Sequence, residues 1–167
     1  MIRKKICMLG AFAVGKTSLV RRYVEGYFEP RYETTIGVKI LKRELEIRGE
    51  KYLLMIWDLH GDDEFQEVRA SYLRGASGYL LVVDGTRAGT LDVARRLHER
   101  VLENVGEVPF LCLLNKDDLA TDWELDEGLQ ARLEEQGWRT RRTSAATGDG
   151  VEAAFEELAS AMVEDRS

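Results

Sequence analysis

Apolar residues in this chain fall into short continuous runs, separated by polar, glycine-bearing segments and by stretches with helical spacing. Arg3 to Leu9 closes on Ile6-Cys7-Met8-Leu9 and reads as a buried strand. Leu19, Val20, Tyr23 and Val24 then form one apolar stripe on a helix reaching about Glu25. Residues 26–37 carry Gly, Pro and polar residues and read as a long exposed loop, a length that points to function. Val38 to Ile47 alternates as an outer strand, and Arg48-Gly49-Glu50-Lys51 turns it into the apolar partner Tyr52 to Trp57. Residues 58–70 are again polar and read as a second mobile segment. Gly78 to Val83 and Pro109 to Leu114 are further strands, with a long helix between them marked by Leu91, Ala94, Leu97, Val101 and Val105. Asn115 to Leu119 reads as a loop. Residues 122–136 read as a helix, with Leu125, Leu129 and Leu133 at spacing four. Trp138 to Thr143 is a weaker, basic strand. Val151, Ala154, Phe155, Leu158, Ala161 and Met162 line one face of a last helix.

Strands alternate with helices, and the central strands are apolar throughout, so both faces of the sheet must be covered. The expected fold is α/β: a three-layer sandwich with a six-stranded, mostly parallel sheet, one antiparallel edge strand and about five helices. At 167 residues it is expected to be one domain over 1–167. Ligands of such folds bind at the carboxyl ends of strands, which is where the polar segments of this chain lie.

Charge and composition narrow the function. The net charge of −6 argues against a general nucleic-acid partner but says nothing against a nucleotide, whose phosphates are bound locally. Cys7 and Cys112 both lie in apolar runs and read as small core residues in a reducing compartment, which places the expectation in the cytoplasm. No signal peptide is expected, and the sequence holds no apolar run of membrane-spanning length. Ile2 and the cysteine-free tail from Met162 to Ser167 offer no lipidation site, so no lipid anchor is expected in this chain.

The most specific stretch is Gly10-Ala11-Phe12-Ala13-Val14-Gly15-Lys16-Thr17, a complete G-x-x-x-x-G-K-[ST] phosphate loop between a strand and a helix. Its glycines allow a tight turn that brings backbone N–H groups to a polyphosphate, and the helix start at Lys16, Thr17 and Ser18 adds partial positive charge. Lys16 supplies a point charge toward the β/γ-phosphates, and Thr17 a hydroxyl for Mg²⁺. Asp58, at a strand end before His60-Gly61, suits a divalent ion held through water, with the Gly61 N–H facing the terminal phosphate. In Asn115-Lys116-Asp117-Asp118, the Asp118 carboxylate can accept two hydrogen bonds from guanine that adenine cannot offer, and Lys116 can lay its stem along the base. The small residues Thr143-Ser144-Ala145-Ala146-Thr147-Gly148 let backbone approach a base, with the Ala145 N–H placed to donate to guanine O6.

With these four stretches in this order, the chain resembles the Ras superfamily of small GTPases, most closely its Rab-like branch, over essentially its whole length. Thr34-Thr35-Ile36-Gly37-Val38, Ser71-Tyr72-Leu73-Arg74-Gly75-Ala76 and Leu81-Val82-Val83-Asp84 extend the match. The resemblance implies a P-loop NTPase G domain that hydrolyses GTP, with Mg²⁺ as cofactor. It implies GDP and GTP as ligands, and effector, exchange-factor and GTPase-activating proteins as partners. The nucleotide site it implies comprises Gly10, Ala13, Val14, Gly15, Lys16, Thr17, Ser18, Phe28, Tyr32, Thr35, Gly61, Asn115, Lys116, Asp118, Ser144, Ala145 and Ala146. Thr35 matches the threonine that reaches Mg²⁺ and the γ-phosphate, Phe28 an aromatic that packs on guanine, and Tyr32 a tyrosine over the phosphates. The metal set is Thr17, Thr35 and Asp58, and the catalytic candidates are Lys16, Thr35, Gly61, Asp62 and His60. Residues 26–38 and 58–74 match the two switch segments.

The chain departs from the pattern where turnover is decided. Asp62 stands where most relatives carry the glutamine that orients water. A carboxylate there faces a polyanion, a repulsion of roughly 3 kcal/mol at about 5 Å and an effective dielectric of about 20. Phe12 replaces a small residue over the γ-phosphate, His60 another small residue, Asp63 stands for Glu and Ala146 for Lys. The expectation is slow or unconventional GTP hydrolysis. Two readings compete: a pseudo-GTPase interaction module that holds nucleotide without cycling, and a phosphate-loop kinase acting on a small molecule.

Overall fold

The hairpin expected around residue 48 forms and sets one edge of the sheet. In the computed structural model, which describes residues 1–26, 38–59 and 68–164, β2 (Val38–Ile47) pairs antiparallel with β3 (Glu50–Leu59). Arg48 (φ 52°) and Gly49 (φ 81°) close it as a two-residue turn with both residues left-handed, the geometry that matches strand twist. The other strands are β1 (Ile2–Gly10), β4 (Gly78–Asp84), β5 (Phe110–Asn115) and β6 (Thr140–Thr143). They complete a six-stranded sheet in the order β2-β3-β1-β4-β5-β6, in which every pair but the hairpin is parallel. The helices are α1 (Lys16–Glu25), α2 (Ala70–Leu73), α3 (Gly89–Asn104), α4 (Leu129–Glu135) and α5 (Val151–Glu164), with a 3-10 helix at Asp117–Asp122. The expected fold class holds.

The apolar runs conceal an alternation. Ile6, Met8, Leu80, Val82, Leu111 and Leu113 face one layer, packed with Leu19, Val20 and Tyr23 of α1 and Phe155, Leu158 and Met162 of α5. Cys7, Leu9, Tyr79, Leu81, Val83, Cys112 and Leu114 face the other, against Ala94, Leu97 and Val101 of α3 and Leu129 and Leu133 of α4. Tyr23 and Phe155 stack at 4.1 Å, joining α1 to α5. Both cysteines are buried core residues, and burial raises each thiol to about 12. On α5 it is Ala159, not Ala161, that is fully buried.

One element differs from its sequence reading. The helix expected over 122–136 is confined to Leu129–Glu135, and the loop expected at 115–119 runs into the 3-10 helix. Trp123 is extended (ψ 138°), and the next residue turns toward the end of β4: the Glu124 N–H donates to the Gly85 carbonyl at 2.9 Å, and the Glu124 carboxylate accepts from the Ala88 N–H at 2.7 Å. These tertiary bonds override the four-residue leucine spacing. Among the described residues, no helix is long and apolar enough to cross a membrane.

Strand register places the chemistry in one row. Met8 is opposite Asp58, Gly10 opposite Val82, Asp84 opposite Asn115, and Asn115 opposite Thr143. The carboxyl ends of five strands thus converge beside the start of α1. There β1 has β3 on one side and β4 on the other, the place where the chain reverses its direction across the sheet.

Candidate nucleotide site

The site is built on the phosphate loop. Residues 11–15 leave β1 and enter α1, whose first residue is Lys16 and whose N-terminus carries no side-chain cap. Uncapped N–H groups at a helix start are donors for an anion. Both motif glycines are required by close approach. A Cβ on Gly10 would lie 2.6 Å from the Val82 carbonyl oxygen. One on Gly15, left-handed at φ 103°, would lie 2.4 Å from the Asn115 amide nitrogen.

Three consecutive carbonyls of the loop accept side-chain donors from neighbouring strand ends. The Phe12 carbonyl accepts from Arg87 Nη2 at 2.7 Å, that of Ala13 from Lys116 Nζ at 3.2 Å and that of Val14 from Asn115 Nδ2 at 2.9 Å. Asn115 is itself fixed, because its Oδ1 accepts from Thr143 Oγ1 at 3.0 Å and both side chains are buried. Lys116 is left-handed (φ 72°), its carbonyl accepts from Trp123 Nε1 at 2.9 Å, and its ammonium pairs with Asp84 at 2.8 Å. The Asp84 carboxylate has no solvent exposure. Burial disfavours its charged form, but donors from Lys116, Thr86 and Arg87 outweigh this and hold its pKa below the usual carboxylate value.

On the base side, Asp118 is exposed in the 3-10 helix that follows β5, and its Oδ1 accepts from Ser144 Oγ at 2.8 Å. The following loop spends its Ser144, Thr147, Gly148 and Asp149 N–H groups internally, whereas among the described residues those of Ala145 and Ala146 take no partner. Arg22 of α1 donates to the Ala145 and Ala146 carbonyls at 2.9 and 2.6 Å, which draws both carbonyls toward the helix and turns the Ala146 N–H away from it. An exposed carboxylate beside available backbone N–H groups is the complement of a guanine edge.

On the phosphate side, Lys16 is buried and Thr17 Oγ1 donates to Asp58 Oδ2 at 2.6 Å. Burial lowers the Lys16 pKa, and the nearby Asp58 charge opposes that shift. The hydroxyl and carboxylate oxygens meeting beside the loop are hard donors that fit Mg²⁺. Among the described residues, no three His, Cys, Asp or Glu side chains form a metal cluster. Thr17 and Asp58 are the described residues that could hold such an ion.

Of the residues singled out in the sequence, the structure brings together Gly10, Ala13, Val14, Gly15, Lys16, Thr17, Ser18, Asp58, Asn115, Lys116, Asp118, Ser144, Ala145 and Ala146. Phe28, Tyr32, Thr35, His60, Gly61, Asp62 and Asp63 lie outside the described residues. Thr143 enters the sequence pattern only as a small residue near the base and Asp84 only as the end of a matching stretch, and Arg87, Arg22 and Trp123 have no role there. Asp84 carried the same signal as Asp58, a lone carboxylate ending an apolar strand, and the last three carried none.

Comparison with known proteins agrees with this geometry. The family model described as Ras family matches residues 5–164. The Ras-related protein Rab-32C of Dictyostelium discoideum is 35% identical over 98% of this chain and 75% of its own length. RabJ of the same organism is 34% identical, with this chain spanning 64% of its length. Human Rab-30 is 37% identical over 96% of this chain and 80% of its own length. With the sheet order, the phosphate loop and the base-side loops in register, and with these relatives, the chain belongs to the Ras family and is a Rab-like small GTPase.

Proposed function

We propose that this chain is a guanine-nucleotide switch that hydrolyses GTP slowly, with its output through effector proteins that bind the switch segments 26–38 and 58–74. The observation that carries the nucleotide reading is the bonding of the phosphate loop to the base-side residues. Asn115 and Lys116 hold the Val14 and Ala13 carbonyls, so base and phosphates are read by one connected unit. In this reading Asp118 accepts from the guanine edge, and the N–H groups of Ala145 and Ala146 face its O6. Lys16 and the N–H groups of residues 13–18 hold the β- and γ-phosphates. Phe28 packs on the base, Tyr32 covers the phosphates, and Thr35 and the Gly61 N–H meet the γ-phosphate. Thr17 and Asp58, with Thr35, would hold Mg²⁺, which when bound neutralises charge on the phosphate oxygens.

Slow turnover rests on two residues of this chain. Asp62 carries negative charge where relatives have the neutral glutamine. Phe12 lies within the phosphate loop and is 42% exposed, and in this reading its ring would obstruct a residue supplied by another protein. His60 remains a candidate for positioning water. The test is chromatography of the nucleotide that co-purifies with the chain, followed by single-turnover GTP hydrolysis in Mg²⁺. One guanine nucleotide per chain, slow hydrolysis, and acceleration in Asp62→Gln are expected. An adenine nucleotide would overturn the guanine reading. Fast wild-type hydrolysis that Asp62→Gln leaves unchanged would overturn the slow-turnover reading, and GTP that neither exchanges nor hydrolyses would establish the static interaction module instead.

A further inference from the structure

Ala13 is one of three non-glycine residues with positive φ among those described (φ 62°), a conformation uncommon for a residue with a Cβ. Both peptide units that flank it are tied down. The carbonyl before it, that of Phe12, accepts from Arg87 Nη2 at 2.7 Å, and its own carbonyl accepts from Lys116 Nζ at 3.2 Å. The two donors share one anchor: Asp84 Oδ2 lies 3.0 Å from Arg87 Nε and 2.8 Å from Lys116 Nζ. The turn that carries Arg87 is also closed. The Asp84 N–H donates to Thr90 Oγ1, Thr90 Oγ1 donates to the Arg87 carbonyl, and the Arg87 N–H donates to the Asp84 carbonyl, at 2.9, 2.7 and 2.9 Å. Arg87 thus enters the phosphate loop from a fixed base. The Lys116 tie belongs to the base-reading stretch, whereas nothing in the motifs required the Arg87 tie.

A trans peptide points its C=O and N–H in opposite directions. When Arg87 pulls the Phe12 carbonyl outward, the Ala13 N–H is turned to the inner side of the loop, where among the described residues it takes no partner. We propose that Arg87, anchored on Asp84, is a positioning residue that holds Ala13 left-handed and aims its N–H at the β/γ-phosphates. This rests on the guanine-nucleotide reading and adds to it a coupling: the carboxylate that orients the base-side Lys116 also orients the phosphate side. Arg87 suits the task because its rigid fork sets Nε on Asp84 and Nη2 on the Phe12 carbonyl, two separate nitrogens in fixed geometry, where a lysine at this position would have a single nitrogen on a shorter, flexible stem.

The test uses the full chain and competition of unlabelled GDP and GMP against fluorescent mant-GDP in Mg²⁺. GMP shares the base and lacks the β-phosphate. Arg87→Ala is expected to weaken GDP about tenfold, the scale of one hydrogen bond from a charged donor. It should change GMP affinity by less than about twofold, so that the GDP/GMP ratio falls. Arg87→Lys is expected to behave like Arg87→Ala. Adding Ala13→Gly to Arg87→Ala is expected to recover about threefold or more of the GDP loss, because glycine takes the left-handed conformation without the clamp. Equal losses for GDP and GMP would mark general damage to the fold and overturn the proposal. So would an unchanged GDP affinity, or an Ala13→Gly addition without effect. A wild-type chain that binds no mant-GDP would instead overturn the nucleotide reading beneath it.

Discussion

Replacing Asn115 with alanine probes the centre of the site, and its cost can be worked from the geometry. The side chain is 1% exposed; it donates to the Val14 carbonyl at 2.9 Å and accepts from Thr143 Oγ1 at 3.0 Å. Asn115→Ala leaves both partners buried without their bonds, at about 1–3 kcal/mol each. A total of about 2–6 kcal/mol is expected, and it falls on the strand ends and the phosphate loop together. Thr143→Val alone should cost about 1–3 kcal/mol, because it orphans only Asn115 Oδ1. The double variant should lose less than the sum of the two, because Asn115→Ala no longer strands a hydroxyl that Thr143→Val has removed. Urea unfolding with saturating GDP reads the stability, and release of mant-GDP reads the loop. Faster release is expected in proportion to the part of the loss borne by the Val14 tie. A cost below about 1 kcal/mol for Asn115→Ala would refute this role of the side chain. A drop in stability with unchanged GDP release would refute it equally, since the Val14 bond would then not set the loop.

Three further outcomes follow from the packing and titration. Phe155→Ala removes a fully buried ring stacked 4.1 Å from Tyr23 and should cost about 3–5 kcal/mol in urea unfolding. Gly85→Ala places a Cβ 2.1 Å from the Trp123 ring, so Trp123 must leave and its bond to the Lys116 carbonyl must break. A red-shifted tryptophan emission and weaker GDP binding are the expected signs. His98 bonds the Tyr79 hydroxyl at 2.7 Å, and burial, opposed by the Glu99 charge, lowers its pKa from the usual value of about 6.5. The unfolded chain then binds this proton more readily. His98 therefore contributes full stability above pH about 6.5 and loses it as the pH falls through that value toward its folded pKa. Thermal midpoints measured between pH 7.5 and 5 should fall on acidification, and His98→Phe should flatten that slope.

Much of this molecule is legible without coordinates. β1, β3, β4 and β5 follow from apolar runs bounded by glycine and charge, β2 from alternation, and the hairpin from Arg48-Gly49, because strand formation and tight turns answer to local spacing. The phosphate loop is legible for the same reason: Gly10, Gly15, Lys16 and Thr17 act within eight consecutive residues. Asn115, Lys116 and Asp118, proposed to read the base, are likewise close together in the chain. Where neighbours along the chain do not decide the outcome, local spacing fails. The leucines at 125, 129 and 133 favour a helix from residue 122, but Trp123 bonds to the Lys116 carbonyl and Glu124 to Gly85 and Ala88 just past β4, some forty residues earlier in sequence. Which member of each apolar run faces α1 and α5, and which faces α3 and α4, is set by the pleat once the sheet has layers on both sides. Register then does what no motif specifies. It brings Asp84, Asn115 and Thr143 side by side, so that one buried carboxylate and one buried amide fix three carbonyls of the phosphate loop. The residue types that bind a nucleotide are written along the chain. The arrangement that tensions Phe12, Ala13 and Val14 exists only when β1, β4, β5 and β6 lie in that order, because hydrogen bonds over about 3 Å need atoms that only the folded sheet brings together.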